Sequence, residues 1–235
     1  MQNHLPGRLG DPTITLLTDP RMDPRVAEVI AATGDIGDAI EPLDSEASYE
    51  ACVAYGTKLE SLMSMAHPAK DAARPAYGDV EQMTEVMQGV DGNEITLYIH
   101  RPVNQDRALP CVFHTHGGGM VILTAGDPNY VRWRNDLAQS GLVVVGVEFR
   151  NGSGVLGNHP FPAGLTDCDT ALQWTDQHRE RLGISAIIMS GESGGGNLAL
   201  ATTFAAKRAG RIGSIQGVYA MCPYISGAYA DPPDN

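Results

Sequence analysis

The stretch that decides the fold is Gly191-Glu192-Ser193-Gly194-Gly195. It follows the apolar run Ala186-Ile187-Ile188-Met189, which is short and β-prone and therefore predicts a buried strand. It precedes a segment from Asn197 to Lys207 that is rich in alanine and leucine and ends before Gly210, which predicts a buried helix. The sequence around Ser193 therefore predicts a strand, a tight glycine-rich turn and a helix.

A serine in such a turn is well placed for nucleophilic chemistry. The G-x-S-x-G pattern holds the serine in a strained backbone conformation, and side chains at the flanking positions would collide with the neighbouring strand and helix. The helix N-terminus adds a partial positive charge and free N–H groups beneath the serine. A chain with 27 glycines can also produce this pattern by chance, so the rest of the sequence must decide between the two interpretations.

A second glycine-rich segment, His114-Thr115-His116-Gly117-Gly118-Gly119-Met120, follows another short apolar run. Glycines after a strand let backbone N–H groups point into a cleft, where they can hold a developing negative oxygen. We predict an oxyanion hole formed by the N–H groups of Gly118, Gly119 and Gly194, the last being the residue after the serine. The two motifs in this order favour Ser193 as a nucleophile over a chance match.

Together these motifs resemble the hormone-sensitive-lipase branch of the α/β-hydrolases, the bacterial carboxylesterases that carry an H-G-G-G loop. Val147-Glu148-Phe149-Arg150 and His159-Pro160-Phe161-Pro162-Ala163 are similar to the D-Y-R…H-P-F-P-A block of that branch. The similarity covers nearly the whole chain and is strongest to one bacterial member of the branch. The segments that carry this last similarity are 3–12, 91–97, 116–120, 191–197 and 223–227.

The resemblance implies both a fold and a reaction. The implied fold is the α/β-hydrolase fold, with a helical cap before it; we place the N-terminal arm and cap at 1–78 and the core at 79–235. The implied reaction is hydrolysis of a carboxylic ester or lactone through an acyl-enzyme on Ser193, with neither a cofactor nor a metal. His116 and Gly117 would support the oxyanion loop, His116 through a hydrogen bond.

The order of elements in the core independently predicts an α/β fold. Strands alternate with helices, which indicates a mostly parallel sheet with helices on both faces, and Asp91-Gly92 predicts an antiparallel hairpin at one edge. In the cap, Leu62, Met63 and Met65 would pack between helices or line an acyl pocket. Strands are predicted near 81–90, 94–101, 110–116, 142–149, 186–189 and 217–222, and helices from 24 and near 45–66, 129–140, 163–182 and 197–210.

The chain departs from the branch in two ways. Glu192 and Gly194 replace the aspartate and alanine of its usual G-D-S-A-G, but any residue after the serine offers its N–H. The last histidine is His178, so no histidine follows Ser193 in the order that the family uses. We expect the last strands and helices and the catalytic Asp and His beyond residue 235, and poor ester hydrolysis by this chain alone. The alternative is a non-catalytic ligand-binding protein on the same scaffold.

The same segments also allow two other kinds of site, a dinucleotide-binding site and a metal site. The pattern G-x-G-x-x-A at 194–199 follows a strand and is typical of dinucleotide binding, but no acidic residue for the ribose lies about 20 residues further on. His114 and His116 could hold a metal, but no third ligand has convincing spacing. His159 precedes Ser193 and belongs to a structural block of the family, so we do not assign it as the catalytic base.

Composition limits the partners and the compartment. The net charge of −12 argues against nucleic acids and anionic membranes, and no stretch approaches the roughly 18 apolar residues of a membrane span. Cys111 and Cys222 in predicted buried strands, Cys168 on an apolar helix face and the distant Cys52 indicate free thiols in a reducing cytoplasm. We expect a cytoplasmic protein that binds a small hydrophobic ester or lactone; the resemblance also suggests a homodimer.

Overall fold

A single mixed sheet organises the chain in the computed structural model, which describes residues 13–33, 40–44, 46–66 and 77–225. Within these residues the strand order across the sheet is β1-β2-β4-β3-β5-β6. The strands are β1 (Val80–Gln88), β2 (Glu94–Pro102), β3 (Leu109–Thr115), β4 (Val143–Glu148), β5 (Ile184–Glu192) and β6 (Gly217–Met221). The helices are α1 (Pro24–Thr33), α2 (Tyr49–Ala66), α3 (Pro128–Gln139), α4 (Ala163–Gln177), α5 (Arg179–Leu182) and α6 (Gly194–Arg208), with short 3-10 turns at Leu16–Thr18, Gly154–Leu156 and Ile212–Ser214.

Within the described sheet, β2 is the one strand that runs opposite to all the others. β1 and β2 form an antiparallel hairpin at one edge, and β2 also runs antiparallel to β4. β3 lies parallel to β4 and β5, and β5 lies parallel to β6. Parallel strands need crossover connections, so β3, β5 and their following loops bring both glycine-rich segments to the same carboxyl edge of the sheet.

Alternation along the strands places helices on both faces of the sheet. On β4, Val145 and Val147 face the main core, which α4 and α6 cover. Gly146 between them faces the other way, under α3, because a Cβ there would lie 2.8 Å from a guanidinium nitrogen of Arg134. The predicted fold class, an α/β-hydrolase fold with a mostly parallel sheet and helices on both faces, is confirmed.

The long helix predicted over 163–182 is wrong in one respect, because it is interrupted at His178. The N–H of this residue donates to Trp174 and Thr175 carbonyls, and its ring stacks on Trp174 with centroids 4.2 Å apart. The ring Nδ1 also donates to the Trp174 carbonyl. The His178 backbone itself, with φ −105° and ψ 17°, lies outside the helical range, so α4 ends at Gln177 and the one-turn α5 follows.

The expectation that Cys222 is buried in a strand is also wrong. β6 ends at Met221, and Cys222 is exposed with a positive φ of 37°. β6 lies at the edge of the described sheet, and Tyr219 on it is largely exposed. Cys111 and Cys168 are buried free thiols as predicted, whereas Cys52 is exposed.

The N-terminal helices precede the sheet, and α2 packs onto loops at its carboxyl edge. Leu59 and Met63 contact a small apolar cluster of Ile122, Leu123 and Tyr130. Met63 therefore packs against the core, while the side chain of Met65, residues 1–12 and most of the predicted 67–78 linker lie outside the described residues. The division at residue 78 stays a prediction. None of the described helices has the length and apolarity to cross a membrane.

Candidate active site

Ser193 is the single residue between β5 and α6. Its backbone has φ 54° and ψ −120°, a left-handed conformation that costs free energy in any residue with a side chain. Two contacts hold it there: its N–H donates to the Met221 carbonyl at 3.0 Å, and its carbonyl accepts the Tyr224 N–H at 2.9 Å. The predicted strand, turn and helix therefore meet at a strained serine, which we call the elbow (residues 191–195).

The glycines of the elbow are required by backbone contact. A Cβ on Gly195 would lie 2.0 Å from the Thr115 carbonyl oxygen, and one on Gly191 would lie 2.4 Å from the Gly195 carbonyl. The Thr115 hydroxyl donates to the Gly195 carbonyl at 2.7 Å. The end of β3 and the start of α6 thus pack backbone to backbone, and no side chain fits between them.

The second glycine-rich segment forms a tight turn, which we call the oxyanion loop (residues 116–123). Gly118, Gly119 and Met120 all have positive φ values, of 99°, 67° and 63°. The N–H groups of Val121 and Ile122 both donate to the Gly118 carbonyl, at 3.0 and 3.1 Å. The chain doubles back within five residues and turns its glycine backbone toward the elbow.

The two loops touch at their backbones. A Cβ on Gly194 would lie 2.7 Å from the backbone nitrogens of both Gly119 and Met120. In the part of the chain that the structure describes, the N–H groups of Gly118 and Gly119 donate to no protein acceptor, and both residues are partly exposed. The Gly194 N–H lies in the first turn of α6, where helices leave N–H groups free. The structure therefore brings together Ser193 and the three glycines predicted for the oxyanion hole.

A carboxylate joins the elbow to the oxyanion loop. Glu192 Oε1 accepts the Gly117 N–H at 2.7 Å, and Oε2 lies 3.0 Å from Nε2 of the buried His114. In the sequence, Glu192 stands out only as a replacement for aspartate, so this contact was missed. The one available signal was the position of Glu192 directly before Ser193.

Further acidic side chains accept N–H groups just after the turn, and sequence reasoning missed these as well. Each comes from another part of the chain or from the start of the next helix, and no spacing pattern links them to the loop. Their N–H partners are three successive residues, the last residue of the loop and the two that follow it. The pairs are Glu60 with Leu123 at 2.6 Å, Asp127 with Thr124 at 3.1 Å and Glu148 with Ala125 at 2.8 Å.

His116 lies fully buried at the start of the oxyanion loop. Its Nδ1 donates to the Gly117 carbonyl at 2.8 Å, and its ring stacks on Phe149 with centroids 4.2 Å apart. Burial lowers the pKa of His116 to about 3, so the ring is neutral near pH 7. Its Nε2 faces Glu148 at 3.8 Å, and burial raises the pKa of that carboxyl to about 7.

The remaining histidines lie elsewhere or have other partners. Among residues 13–33, 40–44, 46–66 and 77–225, no histidine ring hydrogen-bonds the Ser193 hydroxyl. His100 bonds Asn135, while His114 and His178 have the partners described above. Within the same ranges, no three His, Cys, Asp or Glu side chains gather as a metal-ligand set.

Comparison with known proteins identifies the family. A family model described as the alpha/beta hydrolase fold matches residues 112–234, which include both the oxyanion loop and the elbow. The chain therefore belongs to the alpha/beta hydrolase fold family.

Individual relatives agree with this assignment. The bacterial member that the sequence resembles is brefeldin A esterase, described as a bacterial homologue of human hormone-sensitive lipase. Its solved structure has a TM-score of 0.83 and 45% identity, covering 95% of this chain and 62% of that one. The predicted resemblance to the hormone-sensitive-lipase branch is confirmed.

Two curated relatives are more distant. Tuliposide A-converting enzyme 2, a chloroplastic protein of Tulipa gesneriana, is 31% identical over 166 residues, covering 66% of this chain and 41% of that protein. Carboxylesterase NlhH of Mycobacterium tuberculosis is 32% identical over 123 residues, covering 51% of this chain and 36% of that protein. The chain thus spans less than half the length of these curated relatives, and less than two thirds of brefeldin A esterase.

Proposed function

We propose that this chain carries the nucleophile and the oxyanion hole of a serine carboxylesterase. The observation that supports this most strongly is the contact between the two loops. The Gly194 backbone lies against the nitrogens of Gly119 and Met120, directly beside the strained Ser193. Free N–H groups that converge next to a partly exposed serine suit acyl transfer, because they can hold the oxyanion of a tetrahedral intermediate.

In the proposed reaction, the Ser193 hydroxyl attacks the ester carbonyl. The N–H groups of Gly118, Gly119 and Gly194 bind the oxygen as it becomes negative, each contributing on the order of 3 kcal/mol to the transition state. A histidine beyond residue 235, oriented by an acid, accepts the serine proton and passes it to the leaving alkoxide. Water, deprotonated by the same histidine, then attacks the acyl-enzyme and releases the acid and the free serine.

The proposed substrate is a small hydrophobic ester or lactone. A cavity of about 80 Å³ lies beside Met120 on the oxyanion loop and Asn197 in the first turn of α6. A space of this size suits a short acyl chain. Its other lining side chains are mostly apolar: Phe161, Pro162, Leu165, Leu198 and Ala201, with His159 and Arg150 as polar members.

The test is ester hydrolysis by the protein expressed through its complete reading frame. With p-nitrophenyl acetate as substrate, Ser193→Ala should reduce kcat by at least about 10³-fold, because the nucleophile is lost. Ser185→Ala, at an exposed serine on the same strand, serves as the matched control and should leave kcat unchanged. Substantial turnover by the Ser193→Ala protein would rule the mechanism out.

The second candidate is a non-catalytic ligand-binding protein. It is favoured by one observation, namely that no described histidine reaches the Ser193 hydroxyl. The reading frame after Asn235 distinguishes the two functions, since a downstream Asp and His support the esterase and a stop codon supports the binder. Under either function we expect the 235-residue chain alone to hydrolyse esters very slowly, roughly 10³-fold above water at most.

Two further properties are proposals of the same kind. We propose a cytoplasmic location, supported by the buried free thiols of Cys111 and Cys168; burial raises the pKa of Cys111 to about 12, so it stays a thiol. We also propose a homodimer, which rests only on the family resemblance. Light scattering of the purified protein tests it directly.

A further inference from the structure

A buried carboxylate on α2 makes two short hydrogen bonds to backbone N–H groups. Glu60 is only 4% exposed. Its Oε1 accepts the Leu123 N–H and its Oε2 accepts the Val155 N–H, both at 2.6 Å. Among the described residues no Lys, Arg or His side chain forms an ion pair with it. A buried carboxylate needs strong donors, and here two loop amides supply them.

One of these amides belongs to a strained residue of the oxyanion loop. Leu123 has φ 74° and Met120 has φ 63°, both unfavourable for residues with side chains. Such conformations persist only where surrounding contacts determine them. The bond from Leu123 to Glu60 is one of these contacts, and it lies three residues after Met120, whose nitrogen borders Gly194.

The second amide belongs to a loop that is itself bonded to the oxyanion loop. Gly152 and Ser153 donate their N–H groups to the carbonyls of Met120 and Val121, at 3.0 and 2.8 Å. The Asn151 side-chain amide donates to the Leu123 carbonyl at 2.7 Å. The two loops therefore form one hydrogen-bonded unit, and Glu60 accepts an N–H from each of them.

The backbone of α2 is seated firmly enough to fix the Glu60 side chain. A Cβ on Gly56 would lie 2.8 Å from the Ser153 hydroxyl, so the helix approaches this loop without room for a side chain. The Ser153 hydroxyl donates to the Val53 carbonyl of α2 at 2.6 Å. Gly154 has φ 73°, and a Cβ there would lie 2.4 Å from Glu60 Oε2, so a side chain at this position would be strained and would displace the carboxylate.

We propose that Glu60 is a positioning residue, through which α2 holds the oxyanion loop in the conformation that aims its glycine N–H groups at the elbow. Among the described residues, its carboxylate hydrogen-bonds the Leu123 and Val155 amides and not the serine, so it acts through those amides. The effect of Glu60 on the reaction rate rests on the proposed esterase function. The effect of Glu60 on the loop conformation is independent of that function and can be measured separately.

Glu60→Gln is the most informative change, because it preserves side-chain volume. The amide oxygen still accepts one N–H, but the amide nitrogen is a donor and leaves the other N–H without an acceptor. Glu50→Gln, at an exposed position in the first turn of the same helix, is the matched control. Should the Glu60→Gln protein not fold, Glu60→Asp, which keeps the charge but shortens the reach, is measured under the same criteria.

Amide hydrogen exchange by mass spectrometry tests the effect on the loop in the 235-residue chain. We expect Glu60→Gln to raise exchange at least about 10-fold in peptides covering 118–125 and 153–156, because one anchoring bond is lost. Exchange in peptides covering the elbow and α6 should stay unchanged, as should exchange in peptides 118–125 and 153–156 of the Glu50→Gln protein. Unchanged exchange in 118–125, or an equal rise over the whole sheet, would overturn the proposal.

Steady-state kinetics of the protein expressed from its complete reading frame test the effect of Glu60 on the active site. We expect Glu60→Gln to reduce kcat for p-nitrophenyl acetate about 10-fold with KM within about 2-fold, since only transition-state binding is impaired. Affinity for an alkyl boronic acid, which forms a tetrahedral adduct, should fall in parallel. A rise in KM alone, or unchanged kcat despite faster exchange, would overturn the positioning role. Activity retained by Ser193→Ala would instead refute the esterase proposal and leave the exchange result standing.

Discussion

The elbow and the oxyanion loop lie side by side at the carboxyl edge of the sheet, but different forces hold them. The elbow is fixed by close backbone packing, in which Gly191 and Gly195 contact each other and Thr115 with no room for a side chain. The oxyanion loop is also tight within itself, since a Cβ on Gly118 would lie 2.2 Å from the Ile122 carbonyl oxygen, but its two ends are held by hydrogen bonds to side chains. Carboxylates accept the N–H groups of Gly117 (from Glu192) and Leu123 (from Glu60) in this loop. Two more carboxylates, of Asp127 and Glu148, accept the N–H groups of the two residues that follow it.

This difference has a consequence for how each loop responds to change. Backbone packing is all-or-none, because a single added methyl group displaces two elements of the core. Hydrogen bonds to separate carboxylates can be removed one at a time, each with a moderate cost. We therefore expect substitutions at the elbow to affect folding, and substitutions at the carboxylates to affect the loop and the rate.

Gly195→Ala should have the largest effect and should act on folding. The added Cβ would lie 2.0 Å from the Thr115 carbonyl and 2.4 Å from that of His116, and neither backbone can move without disturbing β3. We expect a loss of about 3 kcal/mol or more in the free energy of unfolding, measured by urea denaturation. Gly213→Ala, where the Cβ would meet nothing within 4 Å, should change it by less than about 1 kcal/mol. Equal stabilities for the two proteins would contradict the packing account of the elbow.

Glu148→Gln should change the pH dependence of stability. Burial raises the pKa of Glu148 from 4.5 to about 7, so between these values the folded protein keeps a proton that the unfolded chain releases. Wild-type stability is therefore lowered as pH rises from 4.5 to 7, by on the order of 3 kcal/mol from this group. The variant has no ionisable group at this position. Its melting temperature relative to wild type should therefore rise between pH 4.5 and pH 7. A stability difference between the two proteins that does not change with pH would show that burial does not raise the pKa of Glu148.

Glu192→Gln should have the smallest effect and should act on rate. The glutamine oxygen can still accept the Gly117 N–H, but its amide nitrogen faces His114 in place of a carboxylate oxygen. We expect kcat for p-nitrophenyl acetate to fall about 10-fold, or roughly 1.4 kcal/mol, with little change in the melting temperature. Glu180→Gln, at an exposed position of α5, is the control. A large loss of stability without a change in kcat would show that the Glu192 carboxylate supports folding rather than the conformation of the oxyanion loop.

The sequence predicted the elbow better than the oxyanion loop, for a physical reason. The strand, turn and helix around Ser193 depend on neighbours in the chain, and the glycine spacing reports the tight packing directly. The fold class followed from the alternation of strands and helices. Glu60 is far from Leu123 in sequence, and its bond depends on how α2 packs, which no local pattern encodes. The exposure of Cys222 was missed because it depends on where β6 ends. The break at His178 was missed because the helical pattern does not reveal the contacts of its ring with Trp174.

The central claim is that Ser193 and the N–H groups of Gly118, Gly119 and Gly194 form one catalytic unit. The most direct test is a crystal structure of the protein with its complete reading frame after reaction with an alkyl fluorophosphonate. We predict a covalent bond to the Ser193 oxygen and a phosphonyl oxygen within about 3 Å of those three backbone nitrogens. An adduct on another residue, or a phosphonyl oxygen directed away from these glycines, would contradict the account.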